Sequence, residues 1–181
     1  MKLSNIQLGN DVDIDPSTSI NNVFIEDGVK ISKRCSVFGG ANNPLFIGKE
    51  SYIGMNSMIE GFWAKINIGH NVSIAQNVCI MSGSGPNASE EMQKIFPVQK
   101  GEIHIGEHSW IGASSIIMPN VQLGRYCVVA ANSFVNKSFG DFAIIGGSPA
   151  KLIRLFTEEE IKTVTNQNTD SSDKCIQKSE S

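Results

Sequence analysis

The chain has 181 residues, of which 40% are hydrophobic and 18% charged, with a formal net charge of −3. That length and composition suit one domain with its own core, and the dispersed, mildly acidic charge lacks the basic stripe of a nucleic-acid binder. No apolar run approaches the roughly 20 residues of a membrane span; Cys35, Cys79, Cys127 and Cys175 contain no C-x-x-C pair, so they point to buried thiols and a tail residue rather than a metal ribbon or disulfides.

From the start, "MKLSNIQLGNDVDI" is broken by polar residues from Ser4 onward and lacks the apolar block of a secretion signal, which predicts a cytoplasmic protein. Aliphatic residues then recur at every sixth position. Leu8, Ile14 and Ile20 open the ladder; Ile25, Ile31 and Val37 continue it, then Ile47, Ile53 and Ile59, then Ile68, Ile74 and Ile80. Ile105, Ile111, Ile117, Leu123, Val129 and Val135 form its longest unbroken run.

A second column supports the pattern. In extended chain the residue two positions earlier faces the same side. Those residues run from Ile6, Val12 and Thr18 to Val121, Cys127 and Ser133, and every one is aliphatic or small and uncharged. Short strands at a fixed period, separated by turn residues, predict a β-solenoid whose coils bury their inner faces on one another. A β-sandwich would carry strands of about 5 to 6 residues and hairpin signals instead.

The ladder is interrupted three times, by "FGGANNP" at 38–44, by "EGFWAK" at 60–65, and by the long stretch from Met81 to Glu102. In the last, Gly83, Gly85, Pro86 and Asn87 favour turns, while Met92, Ile95, Phe96 and Val98 predict that the excursion packs on something. Stacking the coils by phase places Ile59, Ile80, Ile117 and Val135 one above another, so Glu60, Met81, Met118 and Asn136 should line the corner from which this loop leaves. Beyond the ladder, Thr157 and Glu160 have capping-box spacing. They predict a short helix over 156–165, and the polar tail 166–181 is expected to be disordered.

With "IHIGEHSWIGASSIIMPNVQLGRYCVVAANSFVNK" and the closing "IIGGSPAKLIR", the chain resembles the hexapeptide-repeat acyltransferases over roughly residues 5 to 155, and within them the branch that acetylates sugars for surface polysaccharides. The resemblance implies an all-β fold, a left-handed parallel β-helix over 1–155 with three hexapeptides per coil, the inserted acceptor loop 81–102 and the short C-terminal helix. It further implies a homotrimer with acetyl-CoA bound between subunits and a sugar or nucleotide-sugar acceptor. On the matching motifs it assigns Trp110, Ala113, Ala131, Asn136, Lys137, Ser148, Lys151 and Arg154 to the cofactor. Lysine and arginine suit its phosphates, and the small alanines allow close approach.

The same resemblance expects a histidine as general base entering the long loop, at the position that Gly85 occupies here. An alcohol acceptor needs such a base, which contributes roughly 10²–10⁴-fold; a neutral amine can react by positioning and oxyanion stabilisation alone. An amino-sugar acceptor and N-acetylation are therefore expected. The alternative is O-acetylation with Glu60 or His104 as base, and a non-catalytic trimeric scaffold is a third reading. Ser84 and Asn87 offer hydrogen bonds to acceptor or thioester, their plainer role being turn formation. No histidine follows Ser84 within the motif to activate it as an acyl nucleophile. His70 and His108 fall in turns and are expected to be structural, and no metal site is expected.

Overall fold

In the computed structural model, which describes residues 4–173, strands of two to six residues wind into a parallel β-helix with three faces. The first face stacks Ile6–Leu8, Val23–Ile25, Leu45–Ile47, Ile66–Ile68, Ile103–Ile105 and Gln122–Leu123. The second runs from Asp13–Ile14 through Trp110–Ile111 and Val128–Val129 to Ala143–Gly147, and an antiparallel strand, Ala150–Leu155, closes its edge. The third runs from Ser19–Asn21 through Met58–Gly61, Cys79–Met81 and Ile116–Ile117 to Phe134–Val135.

The predicted columns are the core except in the open first coil, where Leu8 is 52% exposed because no coil lies beyond it. Ile59, Ile80, Ile117 and Val135 lie in register on the third face, and all are buried. Uninterrupted coils repeat every 18 residues, as in the pairs His104 with Gln122 and Trp110 with Val128. The serines of the second column stay inside because their hydroxyls bridge coils. Ser51 Oγ donates to the Gly69 carbonyl at 2.9 Å and accepts from the Val72 N–H at 3.0 Å; Ser109 does the same with Gly124 at 3.1 Å and Cys127 at 3.0 Å. A buried hydroxyl satisfied on both sides carries little penalty.

Corners turn through left-handed backbone, which asparagine tolerates best after glycine. Asn22, Asn56, Asn71, Asn77, Asn120 and Asn132 occupy such positions. Between the first and second faces, where Asn71 makes the turn in the fourth coil, the later coils use bulky rings. His108, Tyr126 and Phe142 all have φ near +57°, and their rings stack at centroid separations of 4.8 and 5.2 Å. Each stacked pair contributes about 0.5–1.5 kcal/mol beyond burial, which offsets part of the roughly 1–2 kcal/mol that each left-handed residue costs. His70 meets His108 edge-on at 5.1 Å and pairs with Glu107 at 3.0 Å, so both histidines serve the turn, as expected.

All three interruptions leave the third face at the corner leading to the first. The sequence register placed Glu60 and the long loop there, and the 38–44 segment joins them. Helix α1, Glu90–Ile95, lies within the long loop, its N-terminus capped by Ser89, whose hydroxyl accepts from the Met92 N–H. The expectation that the loop's apolar residues pack needs correction within one chain: Ile95 is 70% and Phe96 58% exposed. A helix of six residues outside the solenoid has no second layer of its own chain to cover it.

Helix α2 spans Glu158–Asp173, longer than the predicted 156–165; residues 166–173, expected to be irregular, continue it, and 174–181 with Cys175 lie outside the described residues. The capping box forms as its spacing predicts: the Glu160 N–H donates to Thr157 Oγ1 at 3.2 Å and the Thr157 N–H to Glu160 at 2.7 Å. Among the described residues no helix is long and apolar enough to cross a membrane.

Candidate active site

Glu60 and Met81 are paired neighbours at the insertion corner, the register the sequence predicted. Glu60 is partly spoken for: its Oε1 accepts the Phe62 N–H at 2.7 Å, holding the 60–65 bulge. Burial, and after it the Glu60 charge, pushes the adjacent Cys79 thiol up, which keeps that cysteine protonated and unreactive.

One residue that the sequence reading passed over ties the corner together. Ser82, fully buried, accepts from the N–H groups of Trp63 at 3.1 Å and Ala64 at 3.2 Å, and its carbonyl accepts the Gly101 N–H at 3.0 Å. It thereby fastens the bulge to both ends of the long loop. Between those ends the chain forms a hairpin in which Gly83 pairs with Lys100 and Ser84 with Gln99. Trp63 packs so closely on Gly83 that an added Cβ would collide with its indole ring. Lys100 Nζ sits 3.9 Å from the Trp63 ring centre.

A groove of about 560 Å³ opens here, lined by Trp63, Asn87, Gln93, Pro97, Val98 and Lys100. Of the predicted loop residues, Asn87 lines it and Ser84 lies in its hairpin wall. The position expected to hold a histidine is closed by packing: a Cβ on Gly85 would stand 2.7 Å from the Val98 Cα, so the facing arm of the loop would have to move. His104 is on the outer first face beside Asn67 and Gln122, away from Glu60.

The cofactor candidates divide between the insertion corner and the second face with its corner to the third. Asn136 and Lys137, both exposed, follow Val135 at the insertion corner. Trp110, 55% exposed, stands on the second face. Ala113 and Ala131 share the corner between second and third faces, where the Asn132 N–H donates to the Ala113 carbonyl at 2.8 Å. Ser148 is in the turn before Ala150–Leu155, which carries Lys151 and Arg154. A single chain therefore does not gather all eight.

Arg154 also makes a contact within its own chain: its guanidinium grips Glu160 of α2 with contacts of 2.6 and 2.9 Å. That grip, followed by the Thr157 N–H, holds the Glu160 carboxyl down from its ordinary 4.5 to about 2. A depressed carboxyl stabilises above its ordinary pKa and loses that contribution as pH falls through the depressed one. Protection of the Thr157 and Glu160 amides from hydrogen exchange should accordingly hold at pH 5 and decline only from about pH 4.5 toward 2, and in Glu160→Gln this acid step should vanish.

Among the described residues no three His, Cys, Asp or Glu side chains gather as metal ligands. A parallel β-helix of six-residue rungs with one elaborated corner defines a class of transferases, and the comparisons agree. The family model described as bacterial transferase hexapeptide (six repeats) matches residues 102–137. YvoF of Bacillus subtilis (strain 168), whose name carries a provisional acetyltransferase assignment, is 32% identical over 137 residues, covering 71% of this chain and 74% of YvoF. The chain belongs to the hexapeptide-repeat transferase family.

The galactoside O-acetyltransferase of Escherichia coli (strain K12) is 30% identical over 124 residues, 68% of this chain and 60% of that enzyme. Among solved structures, AntD, an N-acyltransferase from Bacillus cereus in complex with dTDP and 3-hydroxybutyryl-CoA, superposes with a TM-score of 0.77 at 26% identity, over 91% of this chain and 90% of AntD. The chain spans 61% and 59% of the length of the first two curated relatives it matches.

Proposed function

We propose that this protein is an acyl-CoA-dependent acyltransferase that places an acetyl group on the amine of a nucleotide-linked sugar, of the kind used in surface polysaccharides. The observation that carries the reading is the filled space at Gly85: with Val98 packed against it, the loop has no room for the imidazole that an alcohol acceptor would call on. The likeness to AntD over nine tenths of the chain supports an amine acceptor and a CoA donor. In the proposed assembly, a trimer, the Trp110, Ala131 and Lys151 edge of one copy faces the Lys137 edge of the next, which accounts for the division of these residues between two corners. Lys137 and Lys151 hold the donor's phosphates.

The uncharged amine attacks the thioester carbonyl. A C–N bond forms, the C–S bond breaks, and the departing thiolate takes up the proton released from nitrogen. The protein's share is orientation and stabilisation of the carbonyl oxygen by hydrogen-bond donors. Thiol release from acetyl-CoA should therefore occur with nucleotide-linked amino sugars and fail with their hydroxyl counterparts. Its pH profile should show one ionisation, the acceptor's ammonium, unmoved by Glu60→Gln or His104→Gln. Turnover of a hydroxyl sugar, with an ionisation removed by one of those substitutions, would establish O-acetylation instead. Acetyl-CoA binding without turnover on any sugar would establish the scaffold reading.

A further inference from the structure

The groove beside the hairpin contains a cation that the chain itself leaves uncommitted. Among the described residues the ion pairs are His70 with Glu107, Arg125 with Asp141 and Arg154 with Glu160, and Lys100 belongs to none of them. It is nevertheless held in place, because its ammonium rests on the Trp63 ring and its backbone is fixed opposite Gly83. A lysine positioned by an aromatic face keeps its charge and its donors for an anion. Gln93 is spent on the Pro86 and Asn87 carbonyls at 3.1 and 3.3 Å, whereas Asn87, which also lines the groove, brings an amide side chain to it.

The cations assigned to the donor, Lys137 and Lys151, lie on the rung after Val135 and on the closing strand, whereas Lys100 stands on the inserted hairpin opposite Gly83. Lys137 shares the insertion corner with that hairpin, so a donor held there leaves the hairpin groove beside it for the acceptor.

We infer that the groove of Trp63, Asn87 and Lys100 binds the diphosphate of a nucleoside-diphosphate-linked acceptor, with Lys100 meeting the phosphate charge and Asn87 donating beside it. This rests on the reading above only for what is attached to the diphosphate. Trp63 and Gly83 are positioning residues: the ring needs Gly83 bare, and Lys100 needs the ring.

Calorimetric titration of the full chain with thymidine diphosphate, uridine diphosphate and coenzyme A tests the site without requiring turnover. Lys100→Gln should weaken both nucleoside diphosphates by roughly 10- to 100-fold, the range for a hydrogen bond to a charged group, and leave coenzyme A unchanged. Gly83→Ala, which keeps the lysine but displaces Trp63, should weaken the diphosphates too. Lys100→Arg should restore much of the loss. In steady state the KM for a nucleotide-linked amino sugar should rise in Lys100→Gln with kcat nearly constant. Weakened coenzyme A with intact diphosphate binding would assign Lys100 to the donor and overturn the inference, as would diphosphate binding indifferent to Lys100. If Lys100-dependent diphosphate binding is found and no amino sugar is acylated, the groove stands and the proposed reaction falls. If free amino sugars are acylated and diphosphates do not bind, the reaction stands and the groove falls.

Discussion

Truncating Ile80 to alanine should lower the stability of the β-helix by about 2–5 kcal/mol, the range for a buried isoleucine whose neighbours cannot collapse into the space. Ile80 is fully buried between Ile59 and Ile117, each held in parallel register by its own strand. The rungs above and below are fixed by backbone hydrogen bonds, so the cavity stays open. At about 2–4 °C per kcal/mol for a chain of this size, the melting temperature should fall by about 5–20 °C. The neighbouring Cys79→Ala, on the outward side of the same strand, is the control and should fall far less. A small change at Ile80 would mean that the coils slide to close the gap and that the rungs are more compliant than their register implies.

Gly85→Ala should have the opposite profile, a large loss of turnover with little loss of stability. The added methyl meets the Val98 Cα at 2.7 Å, so the two arms of the loop must separate. The arms carry few buried side chains, and their opening leaves the core columns untouched, so the melting temperature should stay within a few degrees. The groove residues Asn87 and Lys100 would shift by about an ångström or more, and a misplacement of that size costs on the order of 10²-fold. Gly85→His should fare no better, despite supplying the base that the resemblance expects. An active Gly85→His enzyme that has gained hydroxyl acceptors would show instead that the loop yields easily and that the glycine marks a lost base rather than a closed space.

The β-helix was legible because its constraint is periodic. Each inward position is followed by another six residues on, at the next face, and its environment returns eighteen residues later in the long run, so Ile111, Ile117 and Leu123 announce Val129 and Val135. The capping box at Thr157 and Glu160 was legible for a similar reason, since its two residues satisfy each other within one turn. The site was harder to see, because its contacts join segments that no period relates. Trp63 meets Gly83 and Lys100 only after the long loop has folded back as a hairpin, and Ser82 acts through bonds to residues 18 and 19 positions away. A signal existed in the adjacent aromatics Phe62 and Trp63, set in a bulge beside a loop rich in glycine. The Ser89 cap of α1 was also present in the sequence, in "SEEMQ", with acidic residues in the first turn and Lys94 in the last. The division of the cofactor candidates between two corners could not be read from motifs, which record order along the chain but not the face on which each rung ends.

All three insertions stack on a single edge of the prism, while the other two edges stay tight and nearly invariant in length. An edge of this kind separates two tasks that most folds mix. Lengthening the chain there leaves the register of every rung intact, because the strand before and the strand after still meet their neighbours. The 38–44, 60–65 and 81–102 segments thus form a detachable cassette, and exchanging them together between members of the fold should transplant acceptor preference, whereas a one-residue insertion at either tight edge would throw every later rung out of phase and turn its core outward.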